Sequence, residues 1–183
     1  RALDKKTRNL HPNFPSKIFL FPSYYCNNDC RHCFAGDKSK RKSLSLDEAR
    51  FIVKHNSKEN CQLSIAGGEP TLFRGLTELI KFGKALGLKV HLHSNCRKMA
   101  DLKFARTIVS SGIDGLTVPI HSHIVQVHDY ITQREGSFRQ TVQGIRNLQK
   151  RGFNNIHCMV VVHKKNYRHL YQIARFLSQI KVK

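Results

Sequence analysis

Apolar residues along this chain fall into blocks of period two that alternate regularly with blocks of helical period. The extended candidates are residues 17–25 (KIFLFPSYY), 61–66 (CQLSIA), 88–93 (LKVHLH), 115–120 (GLTVPI) and 155–162 (NIHCMVVV), since alternation is the mark of a strand with two unlike faces. Helical candidates lie between and after them, at 46–56, 76–86, 100–111, 138–151 and 167–180. Starts and stops agree with these bounds: Ser45 precedes LDEA as an N-cap, and Gly87, Gly112 and Gly152 each follow a helical block. Strand and helix thus alternate through five βα units, which implies a parallel α/β sheet with right-handed crossovers, either doubly wound or curled into a barrel. Residues 34–44 and 121–137 form the two long connections, and nothing divides the chain, so residues 1–183 are expected to be one domain.

Charge and composition narrow the class. Lys and Arg number 32 against 12 Asp and Glu, a formal charge of 32 − 12 = +20. With 40% hydrophobic and 24% charged residues, the chain can bury a core and is not a disordered basic tail. No apolar run approaches the roughly 18 residues of a membrane span, and no signal peptide is legible; a cytoplasmic location is the expectation. The first residue is Arg1 rather than Met, so natural sequence is expected before it.

Three of the six cysteines, Cys26, Cys30 and Cys33, fall in CNNDCRHC directly after the first strand. A thiolate triad this close wraps one ion or one cluster, and three protein ligands leave a coordination position open for chemistry. The alternative is a structural zinc site completed by His32 or a distant cysteine, although closed zinc sites usually pair two such knuckles and there is no second one.

CxxxCxxC after the first strand, followed by GGEP (Gly67 to Pro70) after the second, resembles the radical S-adenosylmethionine (SAM) enzymes. The resemblance runs the length of the chain: SNC (94–96) stands where many members have a TNG-like turn. The segment VPIHSHIVQVHDYITQREGSF (118–138) looks like the one after the fourth strand in members that modify peptides or assemble cofactors. The resemblance implies a partial (βα) barrel of five to six units and a [4Fe-4S] cluster on Cys26, Cys30 and Cys33 whose fourth iron binds SAM. It also implies reductive cleavage of SAM to methionine and a 5′-deoxyadenosyl radical, which takes hydrogen from substrate. A sixth strand is expected to begin at Lys181-Val182-Lys183, and the protein to continue beyond it or to have that edge covered by a partner.

The residues suit the implied ligand on their own terms. Gly67 and Gly68 let backbone approach a ligand, Glu69 offers an acceptor to an ammonium group, and Pro70 fixes the loop. Ser94 and Asn95 suit ribose hydroxyls or the SAM carboxylate, with plain strand-to-helix capping as the alternative. By analogy with the family, His32 lies against the adenine; otherwise it is an exposed loop histidine. Segments 26–33, 67–70, 94–95, 121–122 and 163–166 each begin at the end of a different strand, where α/β active sites form. Pro119 and Cys96 depart from the family's serine and glycine; Cys96 is placed at the mouth as a candidate reactive thiol, and Cys61 and Cys158 inside strands.

His91 and His93 share one face of the third strand, opposite Val90 and Leu92, and are expected to point into the barrel as part of a substrate cavity, a proton relay or a hydrogen-bonded interior. The basic run Lys38, Lys40, Arg41 and Lys42 beyond the cysteine loop is either a solvated surface, a dock for an acidic electron donor such as flavodoxin or ferredoxin, or an attraction for RNA. The function expected first is hydrogen abstraction from a peptide, protein or small molecule. RNA modification is the second reading, and a non-catalytic iron-sulfur or zinc module binding nucleic acid the third.

Overall fold

The structure, a computed structural model, describes residues 16–34, 43–58 and 61–183. The alternating segments form β1 (Lys17–Leu20), β2 (Gln62–Ile65), β3 (Lys89–His93), β4 (Gly115–Pro119) and β5 (Ile156–Met159). All neighbours are parallel and the order across the sheet is β1-β2-β3-β4-β5. That sequential order decides between the two architectures. A doubly wound sheet reverses its strand order at a switch point, whereas right-handed crossovers that never reverse leave every helix on one face and curl the sheet into a partial barrel.

Around the outer face run α1 (Leu46–Asn56), α2 (Leu76–Ala85), α3 (Leu102–Ser110), α4 (Val125–Thr132), α5 (Ser137–Gln149) and α6 (Leu170–Gln179). Ser45 caps α1 as expected, its hydroxyl accepting the Glu48 N–H while the Glu48 carboxylate accepts the Ser45 N–H at 2.7 Å. The core lies between sheet and helices: Leu63, Ile65, Val90, Leu92, Leu116 and Val118 meet Leu79, Ile80, Ile108, Ile145 and Leu148. Asp114 pins the bottom of β3, accepting the Val90 N–H at 2.6 Å and the Lys84 ammonium. Val90 and Leu92 are fully buried in that core, so His91 and His93 lie on the concave face as their alternation requires.

Two local departures from the sequence reading have physical causes. β1 ends at Leu20 rather than residue 25, because Pro22 has no N–H and the Ser23 and Tyr25 carbonyls turn to the loop after β2. The 121–137 connection contains α4, whose buried residues are His128, Ile131 and Thr132, so no aliphatic stripe announces it. At the far edge, Lys183 donates to Ile156 and accepts from Cys158, laying the last residues along β5. Among the described residues no helix is long and apolar enough to cross a membrane.

His128 makes this packing acid-sensitive. It is 1% exposed, and its Nδ1 accepts the His121 N–H, which requires the neutral ring. Burial lowers its pKa from 6.5 to about 4. The unfolded chain therefore takes up a proton that the folded chain refuses, and stability falls as pH drops from 6.5 towards 4. This one group accounts for about 2–3 kcal/mol of that fall. Urea denaturation across that range should show it, and His128→Asn, which keeps an acceptor, should flatten the acid limb.

Candidate functional site

Beyond β1 the chain runs extended through Tyr25 into the cysteine loop, where the Asn28 N–H reaches Cys26 Sγ and the Cys33 N–H reaches the Cys30 carbonyl. Two neighbours strap this loop. From α4, the Ile131 and Thr132 carbonyls accept the Arg31 and Asp29 N–H groups at 3.0 Å, the Arg31 guanidinium lies 4.0 Å over the Tyr130 ring, and the Gln133 amide donates to the Asp29 carbonyl. From the end of β3, Asn95 donates to the Asn27 side chain at 2.6 Å, and Arg97 donates to the Asn27 carbonyl and to Asn28 Oδ1. Arg31, Gln133 and Arg97 escape a sequence reading, because none occupies a fixed position of a motif. The one signal is the Asn27-Asn28 pair, whose amides need partners.

The two glycines of GGEP answer to this loop. Gly67 has φ +125°, and a Cβ there would overlap the Ser23 carbonyl oxygen; a Cβ on Gly68 would overlap the Tyr24 and Tyr25 carbonyls. Bare backbone is needed so that Gly68 N–H donates to Ser23 O at 2.9 Å and Glu69 N–H to Tyr25 O at 2.7 Å. The close approach expected towards a ligand is, in the structure, an approach to the cysteine-bearing segment.

Glu69 is likewise turned inward. Its carboxylate is 0% exposed and accepts from the Thr71 N–H and hydroxyl, the Ser94 hydroxyl and the Asn95 N–H, at 2.7–3.0 Å. Burial raises its pKa, and these four donors act against that rise by favouring the anion. The carboxylate offered by the sequence to an ammonium group is thus the knot between the ends of β2 and β3. Ser94 also accepts the Cys96 N–H and Asn95 accepts the Arg97 N–H, so both side chains shape the turn that leaves β3. Pro70 is buried at the start of a short 3-10 turn, Pro70–Leu72.

Around these groups lies a cavity of about 460 Å³, lined by Cys26, Cys30, Cys33, His32, Gly67, Gly68, Glu69, Ser94 and Asn95, with Pro70 outside it. Phe19, His93, Thr117, Pro119, His121 and Met159 complete its walls from the barrel side. His32 packs edge-on against His121 with ring centroids 4.7 Å apart; burial, and then His163, lower its pKa. Its Nδ1 is buried with no hydrogen-bond partner among the described residues. Burial lowers the His121 pKa to about 3, and its Nδ1 accepts the Val161 N–H. Residues 163–166 do not line the cavity; Asn166 instead ties the loops after β4 and β5 together by donating to the His121 and Val161 carbonyls.

Cys96 is not at the mouth. It is fully buried with φ 64°, its sulfur 3.3 Å from Met99 Sδ, and burial pushes its thiol well up, which leaves it unreactive. Cys61 is buried and Cys158 lies in β5, its thiol pushed up to about 11 by burial. The run Lys38, Lys40, Arg41 and Lys42 falls outside the described residues.

The donor set fits an iron-sulfur cluster. Among the described residues no three His, Cys, Asp or Glu side chains are gathered at single-ion spacing. A four-iron cluster makes no such demand, since each thiolate takes its own iron. The loop contacts also set an expectation for Gly68→Ala: a methyl group there meets backbone rather than a yielding side chain. The Gly68–Ser23 and Glu69–Tyr25 bonds should part, with a stability loss of about 1–3 kcal/mol in urea denaturation. Iron uptake should fall with it.

Comparison with known proteins agrees with this geometry. The sequence profile described as the Radical SAM superfamily matches residues 20–177. The chain is 26% identical over 161 residues to the mycofactocin maturase of Mycolicibacterium smegmatis, covering 86% of this chain and 40% of that protein. It is 27% identical over 161 residues to the AdoMet-dependent heme synthase of Methanosarcina barkeri, covering 85% and 46%. It therefore spans less than half the length of either relative. In fold it is similar to Streptococcus suis SuiB bound to its precursor peptide SuiA, with a TM-score of 0.77 and 18% identity over 97% of this chain and 40% of that one. SuiB bound to S-adenosylmethionine gives the same TM-score at 19% identity, over 98% and 41%. Since the matched profile takes in every strand end and loop that builds the cavity except part of β1, the chain belongs to the radical SAM superfamily.

Proposed function

We propose that this chain binds a [4Fe-4S] cluster through Cys26, Cys30 and Cys33, holds SAM beside it, and initiates hydrogen abstraction from a peptide or protein substrate. The observation that carries the reading is the single cavity in which the three cysteines meet Gly67, Gly68, Glu69, Ser94, Asn95 and His32. When bound, the cluster supplies the electron that splits SAM into methionine and the 5′-deoxyadenosyl radical.

The protein's own residues do the holding and the shielding. Gly67 and Gly68 keep the loop after β2 tight against the cysteine segment, and Glu69 fixes that loop to the end of β3. This presets the polar wall of the cavity before any ligand arrives, which spares the site reorganisation at the moment of reaction. His32 brings to the lining an aromatic ring and a nitrogen with no hydrogen-bond partner among the described residues, suited to an adenine face and edge. Phe19, Phe21 and Met159 add apolar surface to the lining of the cavity.

A peptide substrate is supported by the fold likeness to SuiB, which was solved with a precursor peptide. The electron is assigned to an acidic donor of the flavodoxin or ferredoxin type, attracted by the chain's +20 charge. Arg31 and Lys165, both over the Tyr130 ring, supply part of that charge beside the cysteine loop.

Anaerobic reconstitution with iron and sulfide, followed by dithionite and SAM, tests the reading. The protein should gain iron-sulfur absorption and release 5′-deoxyadenosine, and Cys26→Ala, Cys30→Ala and Cys33→Ala should each abolish both. Full absorption in the triple variant, or zinc binding with no SAM cleavage in the wild type, would refute it.

A further inference from the structure

The cysteine loop carries a cationic clamp that no motif encodes. Arg97 follows the turn at the end of β3, and its guanidinium spans three partners: Nε donates to Gln140 Oε1 on α5 at 2.7 Å, and Nη1 donates to the Asn27 carbonyl and to Asn28 Oδ1. Asn28 is itself 4% exposed, and its N–H reaches Cys26 Sγ at 3.4 Å. The guanidinium thus stands one residue from a cluster cysteine, fastened to a helix of the barrel wall. All three acceptors are neutral oxygens. Burial and then the Arg134 guanidinium lower the Arg97 pKa, while Cys26, Glu69 and Asp129 act to raise it.

We infer that Arg97 is a positioning residue for the cluster: it holds the Cys26–Asn28 backbone in place and lends the iron-sulfur group a positive charge that favours its reduced state. The inference rests on the assignment of the cluster to Cys26, Cys30 and Cys33. Both halves follow from the same geometry. A two-pronged donor fixes the loop as a flexible ammonium does not, since the guanidinium fork is rigid and planar. Adding an electron to a cluster makes it more negative, and a nearby cation in a partly desolvated site stabilises that added charge. Asn95 assists on the same loop through Asn27, but it is neutral and contributes position alone.

Two variants separate position from charge: Arg97→Lys keeps the charge and loses the fork, and Arg97→Gln loses both. Two readouts apply to the full chain. Hydrogen-deuterium exchange of amides 26–33, in the iron-free protein, reads the clamp; potentiometric titration of the reconstituted protein, followed by electron paramagnetic resonance, reads the charge. Arg97→Gln should speed exchange in the loop by about tenfold or more, as the loss of one to two charge-assisted bonds implies, and should move the cluster to a lower midpoint potential. Arg97→Lys should speed exchange to a similar degree while keeping a potential close to wild type.

Wild-type potential in Arg97→Gln would overturn the electrostatic half, and unchanged exchange in both Arg97 variants would overturn the positioning half. If the wild type takes up no iron-sulfur cluster, the function proposed above fails. The exchange measurement still decides the clamp, so the two failures are distinct.

Discussion

Backbone pressed on backbone, where Gly67 and Gly68 meet residues 23–25, is the constraint on which the rest of this site depends. No Cβ fits at either glycine without striking a carbonyl of the opposing segment. The contact makes the loop after β2 and the approach to Cys26 one rigid unit, closed by two short N–H to carbonyl bonds. It also explains why β1 is only four residues long: the carbonyls that would extend its ladder are committed to the neighbouring loop.

From that unit a polar network spreads through the buried ends of β2 and β3. Glu69 is the centre of it, a fully buried carboxylate with four donors drawn from the ends of two strands. A buried charge is tolerated only when it is fully hydrogen-bonded. The arrangement is therefore all or nothing, and it makes the loops after β2 and β3 adopt one geometry together. Asn95 and Arg97 carry that geometry on to the cysteine loop, and α4 holds the same loop from the other side. The cavity wall is thus built of groups whose hydrogen bonds are largely satisfied before a ligand enters, which is what a preorganised site requires.

Legibility differed between the convex and concave faces of the sheet. On the outer face, Leu63, Ile65, Val90 and Leu92 alternate with polar residues, so strand positions and the inward aim of His91 and His93 follow from period two alone. The short helix α4 was hidden because its buried face is made of His128, Ile131 and Thr132, and hydrophobic periodicity does not register a histidine packed as core. Cys96 was misplaced for a related reason. It occupies a turn with positive φ, where glycine is usual, and only the α5 contact at Gly144 shows that the turn is covered rather than open.

What the sequence determined by itself was local and periodic: five βα units, a parallel sheet, and the cysteine and GGEP motifs placed at strand ends. Each of these needs only spacing along the chain, because strand pleat, helix pitch and ligand bite are all short-range geometry. What the tertiary structure decided was long-range. It chose the curled sheet over the doubly wound one through strand order, turned Glu69 inward, buried Cys96, and brought Arg97 to Asn27, 70 residues away in sequence. A single sequence carries no register between such distant segments; they are matched only when the strands pair and the helices pack. The motifs that line the cavity were therefore readable, while the residues that hold them in position appeared only in the folded molecule.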